Sequence, residues 1–168
     1  MIRVEFNYQP VAEALAEARR RLDDMTPLHQ DIAELVAEST RQHFRDGVGP
    51  DGKAWVPKSP VTLALYAARG HGARPDPLIG PSKRLSSEIL SFASRDQAEV
   101  GSALEYSAVM QHGAKKGAFG RDARNHPIPW GDIPARPWLG LSDVDQEDIV
   151  DIADEYLEQL FDERGFNG

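Results

Sequence analysis

Helical periodicity in this chain stops at Gly47 and does not return at length until Ser142. Before Gly47 and after Ser142, apolar residues recur every three or four positions, as one face of a helix requires. Between them, glycine, proline and short alternating runs prevail. Such a chain folds with its elements segregated rather than as alternating β-α units. The order reads β-α-α-long arm-β-β-α-loop-α. The expected class is α+β: a small antiparallel sheet packed with an N-terminal helix pair, a short central helix and a C-terminal amphipathic helix. All of 1–168 is expected to form one domain, with 47–83 as an extended loop or arm.

Alternation in "IRVEF" predicts a strand at Ile2–Phe6. From Pro10, the spacing of Val11, Leu15, Ala18 and Leu22 predicts a helix, with Arg19, Arg20 and Arg21 near its negative end. A turn at Asp23–Met25 leads to a second helix, so the two should lie as an antiparallel hairpin. Thr26 is placed to cap this helix and Pro27 to occupy its first position. Leu28, Ile32, Leu35, Val36 and Phe44 make its stripe, and Gly47 and Gly49 end it.

The stretch from Gly47 to Lys83 collects glycine, proline and basic residues, with a helical turn or two at Val61–Ala68. "PDGKAW" at Pro50–Trp55 has β-turn chemistry, and Trp55 should fold the loop back onto the core. Beyond it, "LSSEILSFASRDQAEVGS" predicts a β-hairpin with Leu90 and Phe92 on one face, Ile89, Ser91 and Ala93 on the other, and a turn at Arg95–Gln97. Tyr106–His112 predicts a short helix with Tyr106, Val109 and Met110 inward and Gly113 as its cap. Lys115–Asn125 reads as a flexible basic loop. The last helix starts at the Ser142 cap and carries Ile149, Ile152, Ala153, Tyr156, Leu157, Leu160 and Phe161 as its stripe.

Net charge is −8, unevenly spread. From Ser142 onward ten acids face one base, Arg164, a balance of −9 that leaves the rest at +1. Between Gln111 and Pro137 the balance is positive: Lys115, Lys116, Arg121, Arg124 and Arg136 against Asp122 and Asp132. A tight nucleic-acid binder would show a denser basic face. Opposite patches on one chain suit head-to-tail contact between copies. Taken singly, each patch also fits a solvated surface.

Chemistry is sparse. With no cysteine, there is no disulfide framework and no thiolate site. His29, His43, His71, His112 and His126 make no metal-binding or catalytic spacing, although His112 and His126 flank the basic loop and could meet. "GHGAR" at Gly70–Arg74 follows no strand, so it is a poor phosphate cradle. The acid pairs Asp23–Asp24 and Glu147–Asp148 should face water. No apolar run reaches the roughly 20 residues of a membrane helix, and the N-terminus lacks a signal-peptide pattern. No cofactor and no enzymatic activity are expected.

One strip stands apart. "IPARPWLGLSDVD", Ile133–Asp145, sets Trp138 and Leu139 among prolines that suit neither helix nor ladder. It reads either as a latch within the chain, with Trp138 and Leu139 against the helix ending at Gly113, or as a contact surface for another subunit. Arg136 is expected to pair with a carboxylate in either case.

Taken in order, "PDGKAW", Thr62, "LSSEI", "EVGSALEYSAVMQHGA" (Glu99–Ala114) and "IPARPWLGLSDVD" resemble the phage virion-morphogenesis family, the tail-completion proteins of Mu-like and P2-like phages. The resemblance spans about Thr40 to Leu160. Ser107 stands where such proteins commonly have alanine, and His112 and Trp138 where they often have phenylalanine. His112 is therefore expected at a packing position. The resemblance implies structural work in late assembly, at the head–tail junction (neck) or the head-proximal tail end, as a homo-oligomeric ring with a hexamer favoured. It implies neighbouring neck and tail proteins as partners, DNA passing through the channel without specific binding, no membrane, and a location in the virion after assembly in the host cytoplasm. Candidate interface or latch residues are Trp55 in the turn loop, Tyr106, Gln111, His112 and Gly113 at the helix end, Lys115 and Lys116 in the basic loop, and Arg136, Pro137, Trp138 and Leu139 in the strip. The alternative is a small nucleic-acid-associated or hydrolytic protein using Lys115, Lys116, Arg121, Arg124 and His126.

Overall fold

The computed structural model describes residues 7–72 and 74–162, with side chains through residue 160. The strand expected at Ile2–Phe6 and the Phe161 side chain lie outside the described residues. The elements are α1 (Gln9–Asp23), α2 (Thr26–Asp46), α3 (Pro60–Ala68), α4 (Arg84–Ser87), β1 (Leu90–Ala93), β2 (Ala98–Gly101), α5 (Ser107–His112) and α6 (Asp143–Asp162). The class is α+β, as the segregated pattern predicts.

Helix α2 is the axis of the molecule. The β1–β2 hairpin and α6 both pack on it. Its buried face is Leu28, Ala33, Val36, Ala37, Thr40, His43 and Phe44. Thr40 is fully buried, and its hydroxyl donates to Val36 O at 2.7 Å, so no polar atom is stranded there. Gly47 ends the helix at φ 71° and donates to His43 O. The start differs from expectation. Thr26 lies inside the helix, and Asp24 does the capping work. Its carboxylate accepts from Thr26 N at 3.1 Å and Thr26 Oγ1 at 2.6 Å. These bonds hold the Asp24 carboxyl below its usual range.

Helix α1 forms where its period predicts, but its stripe is not packed. Val11, Leu15 and Leu22 are exposed, and Ala14 is the buried residue. Nor do α1 and α2 form the expected helical hairpin. Instead α1 leans on α6, and Tyr156 Oη donates to Arg21 O at 3.3 Å. Periodicity reports a helix with two faces; it does not report which neighbour takes the apolar one.

In the sheet, Leu90 pairs with Gly101 and Ala93 with Ala98. Leu90 and Phe92 point to solvent at 56% and 59% exposure. The inward anchor is Ile89, just before β1, and Arg41 on α2 reaches its carbonyl at 3.3 Å. The first residues of the predicted hairpin, around Leu85, form α4, which buries that leucine.

The core gathers Ala37, Phe44, Trp55, Leu78, Leu85, Ile89, Leu104 and Trp138. Full burial of side chains of this size contributes about 1.5–3 kcal/mol each. Five of them, Trp55, Leu78, Ile89, Leu104 and Trp138, lie outside the helices and strands. Helix α3 is capped by Ser59, whose Oγ accepts from Thr62 N at 3.2 Å, yet it buries none of its residues. Its excursion is closed at the base by Lys58. The Lys58 ammonium donates to Arg74 O at 2.8 Å and Ile79 O at 2.5 Å, and burial lowers its pKa.

Helix α6 opens with a reciprocal cap. Ser142 Oγ accepts from Asp145 N at 3.1 Å, while Asp145 Oδ2 accepts from Ser142 N at 2.8 Å and Ser142 Oγ at 2.7 Å. Burial alone would raise the Asp145 pKa; bonds from Ser39 and Ser142 and the nearby His43 outweigh it and leave the carboxyl depressed. A depressed aspartate stabilises the fold above its unfolded value of about 4, and the gain fades as pH falls through the folded value. Asp145→Asn should therefore cost about 1–3 kcal/mol at pH 7. Urea unfolding at pH 7 and below pH 4 will check this: the variant's deficit should shrink on acidification.

Candidate functional site

Three of the segments quoted for the family resemblance meet at one place. The Pro50–Trp55 turn, the end of α5 and the Ile133–Leu141 strip are locked together by side chains that bond to backbone.

The turn forms through Gly52 N to Gly49 O at 2.9 Å, with Asp51 Oδ1 accepting from Lys53 N at 3.1 Å. It aims Trp55 inward, where 5% remains exposed. Trp55 packs edge-on to Phe44 at 5.3 Å between ring centroids, and its indole N–H donates to Pro137 O at 2.7 Å. Trp138 is 3% exposed, sits 6.0 Å from the Phe44 ring, and donates to Ser107 O at 3.1 Å. A buried indole needs such a partner.

Gln111 does the most with one side chain. Its Oε1 accepts from Trp138 N at 2.8 Å and Leu139 N at 3.1 Å, and its Nε2 donates to Leu139 O at 2.8 Å. A primary amide carries its acceptor and its donors on separate atoms, so one uncharged side chain meets both peptide N–H groups and the carbonyl.

Arg136 departs from expectation. It is 6% exposed, and its partners are carbonyls, not a carboxylate. Nε donates to Val56 O at 2.6 Å and an Nη to Pro57 O at 3.1 Å. Burial lowers its pKa. The guanidinium fork serves here to satisfy turning backbone, which a strand ladder would otherwise do. So Arg136 belongs to the frame and not to the basic surface.

Two glycines permit the closest approaches. Gly113 has φ 72° and ψ 178°, a region open essentially to glycine alone. A Cβ there would lie 2.6 Å from Ile133 O and 2.7 Å from Ala135 N. A Cβ on Gly140 would lie 2.9 Å from Pro50 Cγ. The strip's backbone joins α5 through Ala114–Ile133 pairing and Arg136 N to Met110 O at 2.8 Å.

Other candidates sit outside this frame. Tyr106 is 41% exposed, not an inner residue of α5. His112 is exposed, not packed, and lines an open cleft with Gly113, Lys115 and Asp132. The basic stretch is not a loose loop. Gly117 N donates to Pro129 O, Phe119 N to Ile128 O and Ile128 N to Gly120 O, at 2.7–3.0 Å, so 114–133 is a hydrogen-bonded hairpin. Lys115 Nζ and Lys116 N both reach Asp132, which keeps that carboxyl below its usual range. His126 pairs with Asp122 at 3.2 Å and packs on Trp130 at 5.5 Å, rather than joining His112. Sequence reading missed Phe119, Ile128 and Trp130, which this hairpin exposes at 56%, 38% and 72%. Their one signal is the presence of large apolar residues in a basic, glycine-rich stretch.

Among the described residues, no group of three His, Asp or Glu is placed to hold a metal, and no helix is long and apolar enough to cross a membrane. The geometry is that of a latched frame carrying two charged, partly apolar surfaces: the basic hairpin and α6.

Comparison with known proteins agrees in kind. Residues 6–158 match the phage virion morphogenesis family, and the chain belongs to it. It is also similar to the "Mu-like prophage FluMu G protein 2" of Haemophilus influenzae, 29% identical over 161 residues that cover 95% of this chain and 99% of that one. No solved structure matches. A role in phage structure or morphogenesis follows from the family.

The frame predicts unequal costs for glycine substitutions. Gly113→Ala should lose about 3 kcal/mol or more, strain plus clash. Gly52→Ala has φ 72° but nothing within 4 Å of the new Cβ, and should lose about 1–2 kcal/mol. Thermal and urea unfolding of both variants will check the order.

Proposed function

We propose that this chain is a structural subunit of the head–tail junction or the head-proximal end of the tail, working as a closed ring of copies, a hexamer favoured, that completes the tail and joins it to the head. Neighbouring neck and tail proteins are its other partners, and DNA passes through the lumen without specific binding.

The observation that carries this reading is the polarity of the surface. Helix α6 holds nine acids and no base over Asp143–Asp162. The 114–133 hairpin exposes Lys115, Lys116, Arg121 and Arg124. Unlike patches on one rigid frame favour a heterologous contact, and such contacts close into rings when the rotation allows. A largely acidic protein also leaves DNA free to move, since tight phosphate contact needs many cations. The second reading, a nucleic-acid-associated protein using the hairpin, draws less support because Asp132 and Asp122 already engage that surface.

Removing the gene from its parent phage tests the proposal. Filled heads and tails should accumulate unjoined, and supplying the chain in trans should restore joined particles. Normal virions without it would overturn the reading.

A further inference from the structure

Trp130 is the most anomalous side chain on the described surface. At 72% exposure a tryptophan leaves most of its apolar area in water, and Phe119 and Ile128 on the same hairpin are exposed as well. Its ring rests against His126, 5.5 Å between centroids, and His126 is itself paired with Asp122 at 3.2 Å. Arg121 and Arg124 lie on the same hairpin, exposed.

Elsewhere on the chain lies an apolar groove of about 260 Å³, open to the surface, between α2, β2 and the start of α6. Ile32, Val36, Val100, Leu141 and Ile149 line it. It is smaller than the roughly 300–1,000 Å³ of small-molecule sites, and suits one large side chain. Helix α6, which gives one wall, carries exposed Glu147, Asp151, Asp154, Glu155 and Glu158. Leu141 at the rim is 48% exposed. The chain's own Trp130 does not fill this groove, since it stands in solvent.

We infer that the groove receives Trp130 from a second copy of this chain, with that copy's hairpin Lys and Arg residues set against the acids of α6 on the receiving copy. Knob and groove are different surfaces, so the contact is head-to-tail: each copy gives one and offers the other. The inference rests on the ring reading above and names the contact that would build it. Charge complementarity selects the partner. The hairpin is basic, and the wall of the groove is acidic on the same polypeptide. Aromatic anchors seated in apolar pockets at the centre of a contact carry most of its strength, while the charges set register.

Sedimentation velocity on the purified full chain over rising concentration tests this. The wild type should move from monomer to larger species. Trp130→Ala removes the knob, and Leu141→Glu spoils the groove; circular dichroism verifies that both fold. Each should associate at least about 30-fold more weakly. An equal mixture should form dimers and nothing larger, because one intact knob then meets one intact groove. Unchanged association of both variants would overturn this contact and leave the ring with another interface. Monomers from each variant and from their mixture would overturn the head-to-tail pairing. A wild type that stays monomeric at every concentration would overturn this contact and leave the ring reading to the gene-removal experiment.

Discussion

The fold depends on how irregular backbone is buried. Trp55, Arg136, Gln111 and Lys58 each reach a main-chain carbonyl outside the helices and strands, and Trp138 reaches that of Ser107 at the start of α5. Buried peptide groups must find partners, and a short sheet of two strands cannot supply them. Side chains with N–H donors do so instead. The indole bonds let both tryptophans sit beside Phe44, and that aromatic cluster fixes the turn loop, α5 and the strip against α2.

This arrangement separates frame from surface. The residues that carry the family resemblance mostly turn inward: Trp55, Gln111, Gly113, Arg136, Trp138 and Gly140 hold one another. The charged surfaces outside this frame are the 114–133 hairpin and the outer side of α6. Both leave the same strip, one before it and one after. The hydrogen-bonded strip therefore sets the spacing between the basic hairpin and the acidic helix. In the ring proposed above, fixed spacing would matter more than chemistry at any single residue.

Legibility followed range. The chemistry of local turns and caps could be read directly: Pro50–Gly52, the Gly47 stop, the Gly113 cap and Ser142 at the start of α6 all depend on residues a few positions apart. Trp55 was legible as inward because a tryptophan after a tight turn has little reason to stay wet. Readings that needed distant partners went astray. The α1 stripe has the right period, but nothing local says that Leu15 stays exposed. Alternation in β1 defines two faces without saying that Leu90 and Phe92 face out. The carboxylate expected for Arg136 is replaced by carbonyls because its partners lie some eighty residues earlier in the chain. Glycine and lysine in 115–125 suggested a loose loop, while the ladder that orders it uses Ile128 and Pro129 beyond that stretch.

The most direct test of assembly is cryo-electron microscopy of virions from the parent phage, with the neck and tail end resolved well enough to trace side chains. The account predicts a closed ring of this chain in which the hairpin of each copy bears on α6 of the next. Well-resolved neck and tail density that lacks the chain would contradict it.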